Sequence, residues 1–374
     1  MIIVIFPIIL LLFVYFLYPF FLYLLSFFKR KEKYYFESKM YSLSILIPVY
    51  NEEKSIVKKI GNLIEQNYPP EKIEIIVASD GSQDKTIEKV YSFQSDQIKL
   101  FDGITRRGKN AVLNEALNYT SGDILIFTDA NATFDKDAIK YLTQHFNDER
   151  VGLVCGHLRY WKNETQNVAK GEGLYFHYEA LIKQLESRLG VLPVVTGSIY
   201  AIRRKLCTPL ENEIANDFSH PVKVGALGYR ILFEPKALAF EKATESISEE
   251  FWRRVRIVNR GLTAFFRFWK RYHLWKGLRG FTYVSHKFLR WFVPFYLLIL
   301  FISNLFYLDH LIISIIFTGQ LIFYSLAILG LFIKGRFFTI PLYFCLINGA
   351  ALVGIVQYAL GKRQTTWNVA QSTR

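Results

Sequence analysis

The chain has 374 residues, of which 51% are hydrophobic and 17% aromatic, and its formal net charge is +14. Many of its basic residues flank apolar segments, which favours contact with membrane lipids and argues against nucleic acid as a partner, since no recognised nucleic-acid module is present. Its three cysteines (Cys155, Cys207 and Cys345) are widely spaced with no CxxC pair, so they are predicted to be reduced packing residues of a cytosol-facing domain.

Residues 2–28 carry no charge and are long enough for one membrane-spanning helix, which needs about 20 apolar residues. A signal peptide does not fit, because the run is too long, no basic residue precedes it and no small-residue cleavage site follows. The basic cluster Lys29, Arg30 and Lys31 then predicts that this helix ends on the cytoplasmic side. Residues 40–250 are therefore predicted to be cytoplasmic.

Short apolar runs alternate with helical patterns through residues 40–250. The runs SLSILIPV, IEIIVAS, IKLF and DILIFTD are each followed by a stretch with helical spacing. This alternation predicts an α/β fold with a mostly parallel sheet that is covered by helices on both faces. A nucleotide-binding core is the function class that this pattern favours.

Polar residues follow the first three predicted strands. Asn51, in PVYNE (48–52), fits both a helix cap and a contact with a ligand at the strand ends. Asp80, in SDGSQD (79–84), fits equally a helix cap and a hydrogen bond to a base or ribose. Lys109, in RGKN (107–110), begins a predicted helix, and its ammonium group with the helix amides predicts a diphosphate site.

The fourth strand places Asp129 and Asn131 at its carboxyl end. Side chains two residues apart on an extended segment point the same way, so these two oxygen ligands suit a hard divalent cation, Mg or Mn. An Asx turn is the alternative. Further on, Gly197 and Ser198 precede a strand, and Asp217 opens a predicted helix. Asp217 is our candidate for a base that takes the proton of an acceptor hydroxyl.

A long amphipathic segment begins at Phe251, with apolar residues spaced by three and four and with basic residues from Arg253 to Arg271 on the other faces. It predicts a helix in the membrane interface, with an ordinary amphipathic core helix as the alternative. Three apolar stretches follow, at 291–308, 311–332 and 337–360. Four full spans would place the basic tail outside the cell, so the last stretch is predicted to be re-entrant or interfacial.

Taken together, these motifs resemble family 2 glycosyltransferases, specifically the membrane-integrated branch that includes hyaluronan, chitin, poly-N-acetylglucosamine and cellulose synthases. The resemblance rests on PVYNE, SDGSQD, GKNAVLN, TDAN, GS and ND occurring in this order. It implies a GT-A type nucleotide-sugar-binding domain joined to interfacial amphipathic helices and transmembrane α-helices. It also implies an inverting, metal-dependent transferase at the cytoplasmic face of the plasma membrane, with a UDP-sugar donor and a polysaccharide or lipid-linked acceptor.

The resemblance also implies roles for individual residues. These are nucleotide-sugar contacts (Val49, Tyr50, Asn51, Glu52, Asp80, Lys109, Asp129 and Arg256), metal ligands (Asp129 and Asn131), acceptor-facing residues (Gly197, Ser198 and Trp367) and the catalytic base (Asp217). Three motifs depart from the family: DxD reads DAN, TED reads AND, and QxxRW at 253–257 keeps only Arg256. Trp367 partly replaces the lost aromatic, or belongs to an interfacial aromatic belt.

The predicted domains are an N-terminal transmembrane helix (1–28), a catalytic domain (40–250), interface helices (251–290), a C-terminal transmembrane region (291–361) and a tail (362–374). A non-processive enzyme that adds one sugar to a lipid acceptor is the main alternative, favoured by the missing Trp of QxxRW. A transporter is disfavoured, because the predicted spans contain almost no charged residues to line a pathway. The sequence does not identify the sugar.

Overall fold

The computed structural model describes residues 1–29, 39–161, 167–244, 246–333 and 335–364, without the side chains of residues 167–174. Arg30, Lys31 and Trp367 lie outside these ranges. All three cysteines are inside them and are free thiols, and Cys155 is fully buried. The prediction of reduced, packed cysteines is confirmed for this residue, while Cys207 and Cys345 are only partly buried.

Eight strands of the described ranges form one mixed sheet in the order β3-β2-β1-β4-β7-β6-β8-β5. They are β1 (Leu43–Val49), β2 (Ile73–Ser79), β3 (Ile98–Asp102), β4 (Ile124–Phe127), β5 (Thr133–Phe134), β6 (Val151–Tyr160), β7 (Tyr200–Arg203) and β8 (Arg230–Glu241). The first four strands are parallel, as predicted. The second half differs, because β7 is antiparallel to β4 and β6 and β5 is antiparallel to β8.

Both faces of the sheet are covered, which is visible in the alternation along β1. Ile45 and Ile47 belong to one hydrophobic cluster, while Leu46 belongs to the cluster on the opposite face, and all three are fully buried. A strand buried on both faces needs a continuous apolar run, which is how SLSILIPV reads. Each such side chain contributes about 1.5–3 kcal/mol by leaving water.

The helices alternate with the strands in the first half of the chain and then extend into a long C-terminal helical region. They are α1 (Ile2–Leu12), α2 (Tyr18–Phe27), α3 (Ile56–Ile64), α4 (Thr86–Tyr91), α5 (Lys109–Ala116), α6 (Ala138–Thr143), α7 (Asn167–Leu189), α8 (Asn216–Ala226), α9 (Ile247–Arg271), α10 (Gly277–Tyr283), α11 (Leu289–Trp291), α12 (Val293–Asn304), α13 (Leu311–Leu329) and α14 (Arg336–Ala359). π-helical turns at Phe13–Leu17 and Val284–Phe288 continue α1 into α2 and α10 into α11.

Three helices of the described ranges are long and apolar enough to cross a membrane: Ile2–Phe27, Leu311–Leu329 and Arg336–Ala359. The apolar stretch 291–308 differs from its prediction, since α12 has only 12 residues and bends by 53° from the helices before it. Pro294 at the start of α12 supplies the break, because proline lacks the N–H that would continue the preceding helix. The last stretch, predicted to be re-entrant or interfacial, is one continuous helix that is long and apolar enough to cross a membrane.

Helix α9 packs between the α/β domain and α14. Its residues Val258 and Leu262 share a hydrophobic cluster with Phe218 of α8 and Ala351 of α14. The Asn259 amide, fully buried, donates to the Lys362 carbonyl at 2.9 Å, just beyond the end of α14. The helix is therefore buried along most of its length, closer to the core-helix alternative than to a helix lying freely on a lipid surface.

Two helical glycines test how tightly α9 is packed against its neighbouring helices. A Cβ built on Gly261 of α9 would lie 2.5 Å from the Trp291 ring, whereas one built on Gly61 of α3 meets nothing within 4 Å. We expect Gly261→Ala to destabilise the protein by about 1–3 kcal/mol through overpacking, and Gly61→Ala to stabilise it by about 0.5–1 kcal/mol through helix propensity. Thermal unfolding in detergent checks this order of Tm values; equal Tm values for both variants would contradict a packed α9 junction.

Candidate functional site

The strand ends of β1, β2 and β4 meet at one edge of the sheet because these strands are parallel. β7 runs the other way, and its pairing of Tyr200 with Phe127 brings the residues before β7 beside those after β4. Ser198 Oγ accordingly donates to Asp129 Oδ2 at 3.1 Å. The topology thus assembles a cleft of about 320 Å³ from loops that are distant in the sequence.

Most of the predicted site residues line this cleft. They are Glu52, Lys109, Asp129, Asn131, Gly197, Ser198, Asp217 and Arg256. Val49, Tyr50, Asn51 and Asp80 are not among its lining residues. The Val49 side chain is fully buried in the core and its carbonyl accepts from the Asp80 N–H at 2.9 Å, so the predicted nucleotide contact does not fit its side chain. Trp367 lies outside the described residues.

Asn51 joins the first two loops and does not cap a helix. It adopts a left-handed φ of 53°, and its Oδ1 accepts from the Gln83 N–H at 2.8 Å while its own N–H donates to Ser82 Oγ at 3.1 Å. Helix α3 begins later, at Ile56. The helix-cap alternative for Asn51 is therefore wrong, since a polar side chain bridging two loops has used its acceptor elsewhere.

Asp80 holds the loop that precedes α5. Its carboxylate accepts from the N–H groups of Arg107 at 2.7 Å and Gly108 at 3.0 Å, and the residue is only 1% exposed. Gly108 has a φ of 96°, which suits glycine, so this turn can present both amides to one carboxylate. Asp80 thus holds the turn that leads into Lys109. The helix-cap alternative for Asp80 is wrong, because α4 begins only at Thr86.

Asp129 is held by two donors. Lys109 Nζ contacts Asp129 Oδ1 at 2.5 Å, and Ser198 binds the other oxygen. Burial alone would raise the pKa of Asp129, but the Lys109 ammonium and the hydrogen bonds outweigh it and hold the pKa below its usual value. The side chain is therefore an ionised carboxylate facing the cleft, as a cation ligand must be.

Asp217 lies across the cleft at the start of α8. Gly197 lies beside it, since a Cβ built on this glycine would be 3.9 Å from the Asp217 carboxylate, an ordinary van der Waals distance. Burial raises the pKa of Asp217, and the nearby Arg260 and Lys109 only partly offset the rise. Its Oδ1 has no hydrogen-bond partner among the described residues. A buried carboxylate with a free oxygen and a raised pKa has the properties of a general base.

A buried polar network holds the start of α8, where Asp217 lies. Asn216 Nδ2 donates to the Tyr200 hydroxyl at 2.9 Å, and that hydroxyl contacts His220 Nδ1 at 2.9 Å. Burial lowers the pKa of His220 to about 3, so the ring is neutral and Nδ1 can accept the hydroxyl proton. This network fixes the first turn of α8 and with it the direction of the Asp217 side chain.

Four arginines of α9 line the cleft: Arg253, Arg254, Arg256 and Arg260. This corrects their interpretation as lipid-facing residues; Arg267, Lys270 and Arg271, further along α9, are exposed. Burial, with Arg260 and Arg253 nearby, lowers the pKa of Arg256 to about 10, so it remains a cation at neutral pH. These four arginines, called the arginine wall below, give the cleft a high positive charge, which favours a polyphosphate ligand.

Glu241 is a cleft residue that the sequence analysis missed. It ends β8, and the antiparallel pairing of Thr133 with Phe240 brings it beside the segment that follows Asp129. Burial, and then the Asp129 charge, raise the pKa of Glu241. The available signal was the same as for Asp129, an acidic residue directly after an apolar strand (ALAFE).

A second cavity continues from Asp217 toward the membrane helices. Asp217, Thr196 and Ile257 line both cavities. The far end of the second cavity is lined by Tyr15 of the first apolar helix and Asn348 of α14. The candidate base is therefore reachable both from the cleft and from the side of the apolar helices.

The donor set suits a cation that is shared with a substrate. The described residues contain no group of three or more His, Cys, Asp or Glu able to hold a metal ion. Asp129 and Asn131 nevertheless offer oxygen ligands in the cleft, and the arginine wall can hold a diphosphate that would supply others. The residues thus fit a divalent cation bound together with a diphosphate.

Comparisons with known proteins identify the family of this chain. The model of "Glycosyl transferase family 2" matches residues 44–208. The probable glycosyltransferase YdaM of Bacillus subtilis is 30% identical over 291 residues, covering 72% of this chain and 68% of YdaM. Poly-beta-1,6-N-acetyl-D-glucosamine synthase of Staphylococcus epidermidis is 27% identical over 235 residues. The match covers 61% of this chain and 56% of that synthase, so the chain spans just over half the length of this relative.

A solved structure shares the whole fold. The mannosyltransferase PcManGT from Pyrobaculum calidifontis, in complex with GDP-Man and Mn2+, superposes with a TM-score of 0.71 at 20% identity, covering 96% of this chain and 99% of that one. At this identity the likeness speaks for the fold alone. The predicted GT-A type α/β fold with membrane helices is confirmed.

The network behind Asp217 gives a prediction about stability. Tyr200→Phe removes the hydroxyl that serves both Asn216 and His220, leaving two buried groups without this partner. We expect a loss of about 1–3 kcal/mol in the free energy of unfolding. Tyr119→Phe is the matched control, because Tyr119 is 51% exposed and should change stability little. Urea or thermal unfolding measures both; an unchanged Tyr200→Phe variant would mean that the network does not stabilise α8.

Proposed function

This chain belongs to glycosyl transferase family 2, and we propose that it is an inverting, metal-dependent enzyme that transfers a sugar from a UDP-sugar. The acceptor is a growing polysaccharide or a lipid-linked glycan at the cytoplasmic face of the membrane. The observation that carries this proposal is that Asp217 lines the same cleft as Asp129 and Lys109 and has a buried oxygen, Oδ1, without a hydrogen-bond partner among the described residues.

The proposed reaction needs one base and a stabilised leaving group. Asp217 takes the proton of the acceptor hydroxyl, whose oxygen forms a bond to the anomeric carbon while the bond from that carbon to the diphosphate breaks. Attack from the side opposite the diphosphate inverts the anomeric centre. Lys109, Arg256 and Arg260 offset the charge on the departing diphosphate. A divalent cation bound at Asp129 and Asn131, Mg or Mn, would add electrophilic stabilisation of the same oxygens.

Support for the nucleotide and for the metal differs in kind. Uridine rests on the resemblance of PVYNE and SDGSQD to the family motifs, with Tyr50, Asn51, Glu52 and Asp80 as the proposed contacts. The Arg106 guanidinium lies over the Tyr50 ring, 4.0 Å from its centre, and a base could stack on this ring in place of Arg106. For the metal, the related fold of PcManGT was solved with GDP-Man and Mn2+, which supports a cation while making guanosine the donor to test against.

The acceptor is proposed to reach Asp217 through the second cavity, between α7, α9 and the apolar helices. This path, ending at Tyr15 and Asn348, supports an acceptor that is held at the membrane. Gly197 and Ser198, which line the cleft together with Asp217, and Trp367 are further proposed acceptor contacts. Ile257 lines this cavity and occupies the sequence position at which the QxxRW motif of the branch has its Trp. The lack of that stacking surface favours the alternative, addition of a single sugar to a lipid acceptor.

The proposed topology has three spans, at Ile2–Phe27, Leu311–Leu329 and Arg336–Ala359, with α12 entering the membrane without crossing it. Three spans place Lys29 and Lys362 on the same, cytoplasmic side, as their charge favours. Direct contact supports this, because the Lys362 carbonyl accepts from Asn259 of α9, which packs against the catalytic domain. We propose the plasma membrane as the location, lipids as partners, and the domain limits at residues 28, 40, 250, 290 and 361.

Asp217→Asn separates catalysis from binding. We expect it to lower turnover by at least about 100-fold, since an amide cannot take the acceptor proton, while UDP binding stays near that of the wild type. Because burial raises the pKa of Asp217, wild-type activity should fall on acidification at a higher pH than an ordinary aspartate would give. Asp96→Asn, at an exposed position, serves as control. Unimpaired transfer by Asp217→Asn would remove this residue as the base.

The donor, metal and product are tested together on the purified full chain in detergent. We expect nucleotide release from UDP-sugars but not from GDP-mannose, loss of release with EDTA, and recovery with Mn²⁺ or Mg²⁺. Product size on a gel then decides between polymer and single addition. Full activity after chelation of every divalent ion would contradict the metal-dependent mechanism, and release from GDP-mannose alone would contradict the uridine assignment.

A further inference from the structure

Glu241 lies next to Asp129 because of strand pairing. β5, which follows Asp129 by four residues, pairs antiparallel with the end of β8, and Glu241 is the last residue of β8. Both residues line the same cleft, as does Ser198, whose Oγ donates to Asp129 Oδ2 at 3.1 Å. The strand pairing therefore places the two carboxylates in one cleft.

The Glu241 carboxylate is not satisfied by its surroundings. The residue is 8% exposed, it lines the cleft, and its Oε1 has no hydrogen-bond partner among the described residues. The single hydroxyl proton of Ser198 is donated to Asp129 Oδ2, so Ser198 does not supply the donor that Glu241 Oε1 lacks. A buried anionic oxygen without a donor is costly, so its retention in the cleft points to a positively charged ligand.

Among the described residues, none of the cations near Glu241 hydrogen-bonds its Oε1. Lys109 is bonded to Asp129, and the buried Lys59 donates to the Ala132 carbonyl at 2.7 Å. Arg253 favours the charged form of Glu241 but does not hydrogen-bond Oε1. The nearby cations thus reduce the electrostatic cost of this pair of carboxylates without occupying the free oxygen.

We propose that Glu241 is the second anionic ligand of the divalent cation, paired with Asp129 across the cleft; this rests on the metal-dependent function proposed above. It takes the part that the second acidic residue of a DxD motif would play, where this chain has the neutral Asn131. Asp129, Glu241 and the Asn131 amide oxygen would hold the cation, and diphosphate oxygens and water would supply the remaining ligands. Cation binding should then require the nucleotide.

The test measures Mn²⁺ binding directly, through the EPR signal of free Mn²⁺, on the full chain in detergent with and without UDP. We expect the wild type to bind Mn²⁺ tightly only with UDP, and Glu241→Gln to weaken this binding at least about tenfold. Glu241→Asp, which keeps the charge, should fall in between. Asp129→Asn is the reference for loss of a ligand.

Glu234→Gln is the matched control. Glu234 lies on the same strand and is also 8% exposed, but its Oε2 contacts His145 Nε2 at 2.7 Å, away from the cleft. It should leave Mn²⁺ affinity unchanged. Thermal unfolding without Mn²⁺ checks that Glu241→Gln is folded, and the rise in Tm that Mn²⁺ with UDP gives the wild type should be reduced in that variant.

The possible results are distinct. Wild-type Mn²⁺ affinity in a folded Glu241→Gln variant would overturn the assignment of Glu241 and leave the metal-dependent function standing. Weaker UDP binding without any change in Mn²⁺ affinity would also overturn it, because Glu241 would then contact the donor instead. A wild type that binds no Mn²⁺ with UDP would overturn both this assignment and the metal dependence proposed above.

Discussion

The cost of burying carboxylates governs the whole cleft. Asp129, Asp217 and Glu241 come from three separate segments, yet all three line one cleft at the edge of the sheet; Glu241 is buried and the two aspartates are half-buried. A carboxylate removed from water must be compensated by cations or by hydrogen bonds. Asp129 is compensated by Lys109 and Ser198, whereas Asp217 and Glu241 each keep one oxygen that has no donor within the described part of the chain. These are the oxygens that we propose to take a proton and a cation.

Helix α9 joins this electrostatic arrangement to the membrane region. Its arginines reach the cleft from one side, while Val258 and Leu262 pack in the cluster that includes Ala351 of α14. The fully buried Glu250 holds Arg253 and Arg254 at 2.7 Å each, which keeps the arginine row in place at the start of the helix. A displacement of α14 would therefore also move the arginine wall, so the cleft and the region around α14 form one functional unit.

The sequence predicts the parts of the site that depend on local order. Parallel strands bring their carboxyl ends to one edge, so Lys109 and Asp129 could be expected to meet from motif order alone, and they do at 2.5 Å. Pattern reasoning failed where long-range pairing decides. The position of Glu241 depends on the β5–β8 register, and the cleft-facing direction of Arg256 depends on how α9 packs. Neither leaves a periodic signal in the sequence.

Polar contacts of Tyr18, at the start of α2, and of His286, between α10 and α11, join these helical segments to the α/β domain. The Tyr18 hydroxyl contacts Glu186 of α7 at 2.5 Å, and His286 Nδ1 contacts the same carboxylate at 2.8 Å. Tyr18 directly follows one π-helical turn and His286 lies in the other, and such turns move side chains out of the regular α-helical register. Polar groups in an apolar helix are costly unless partnered. Because the partner is supplied by α7 of the catalytic domain, neither part can bury its polar groups without the other.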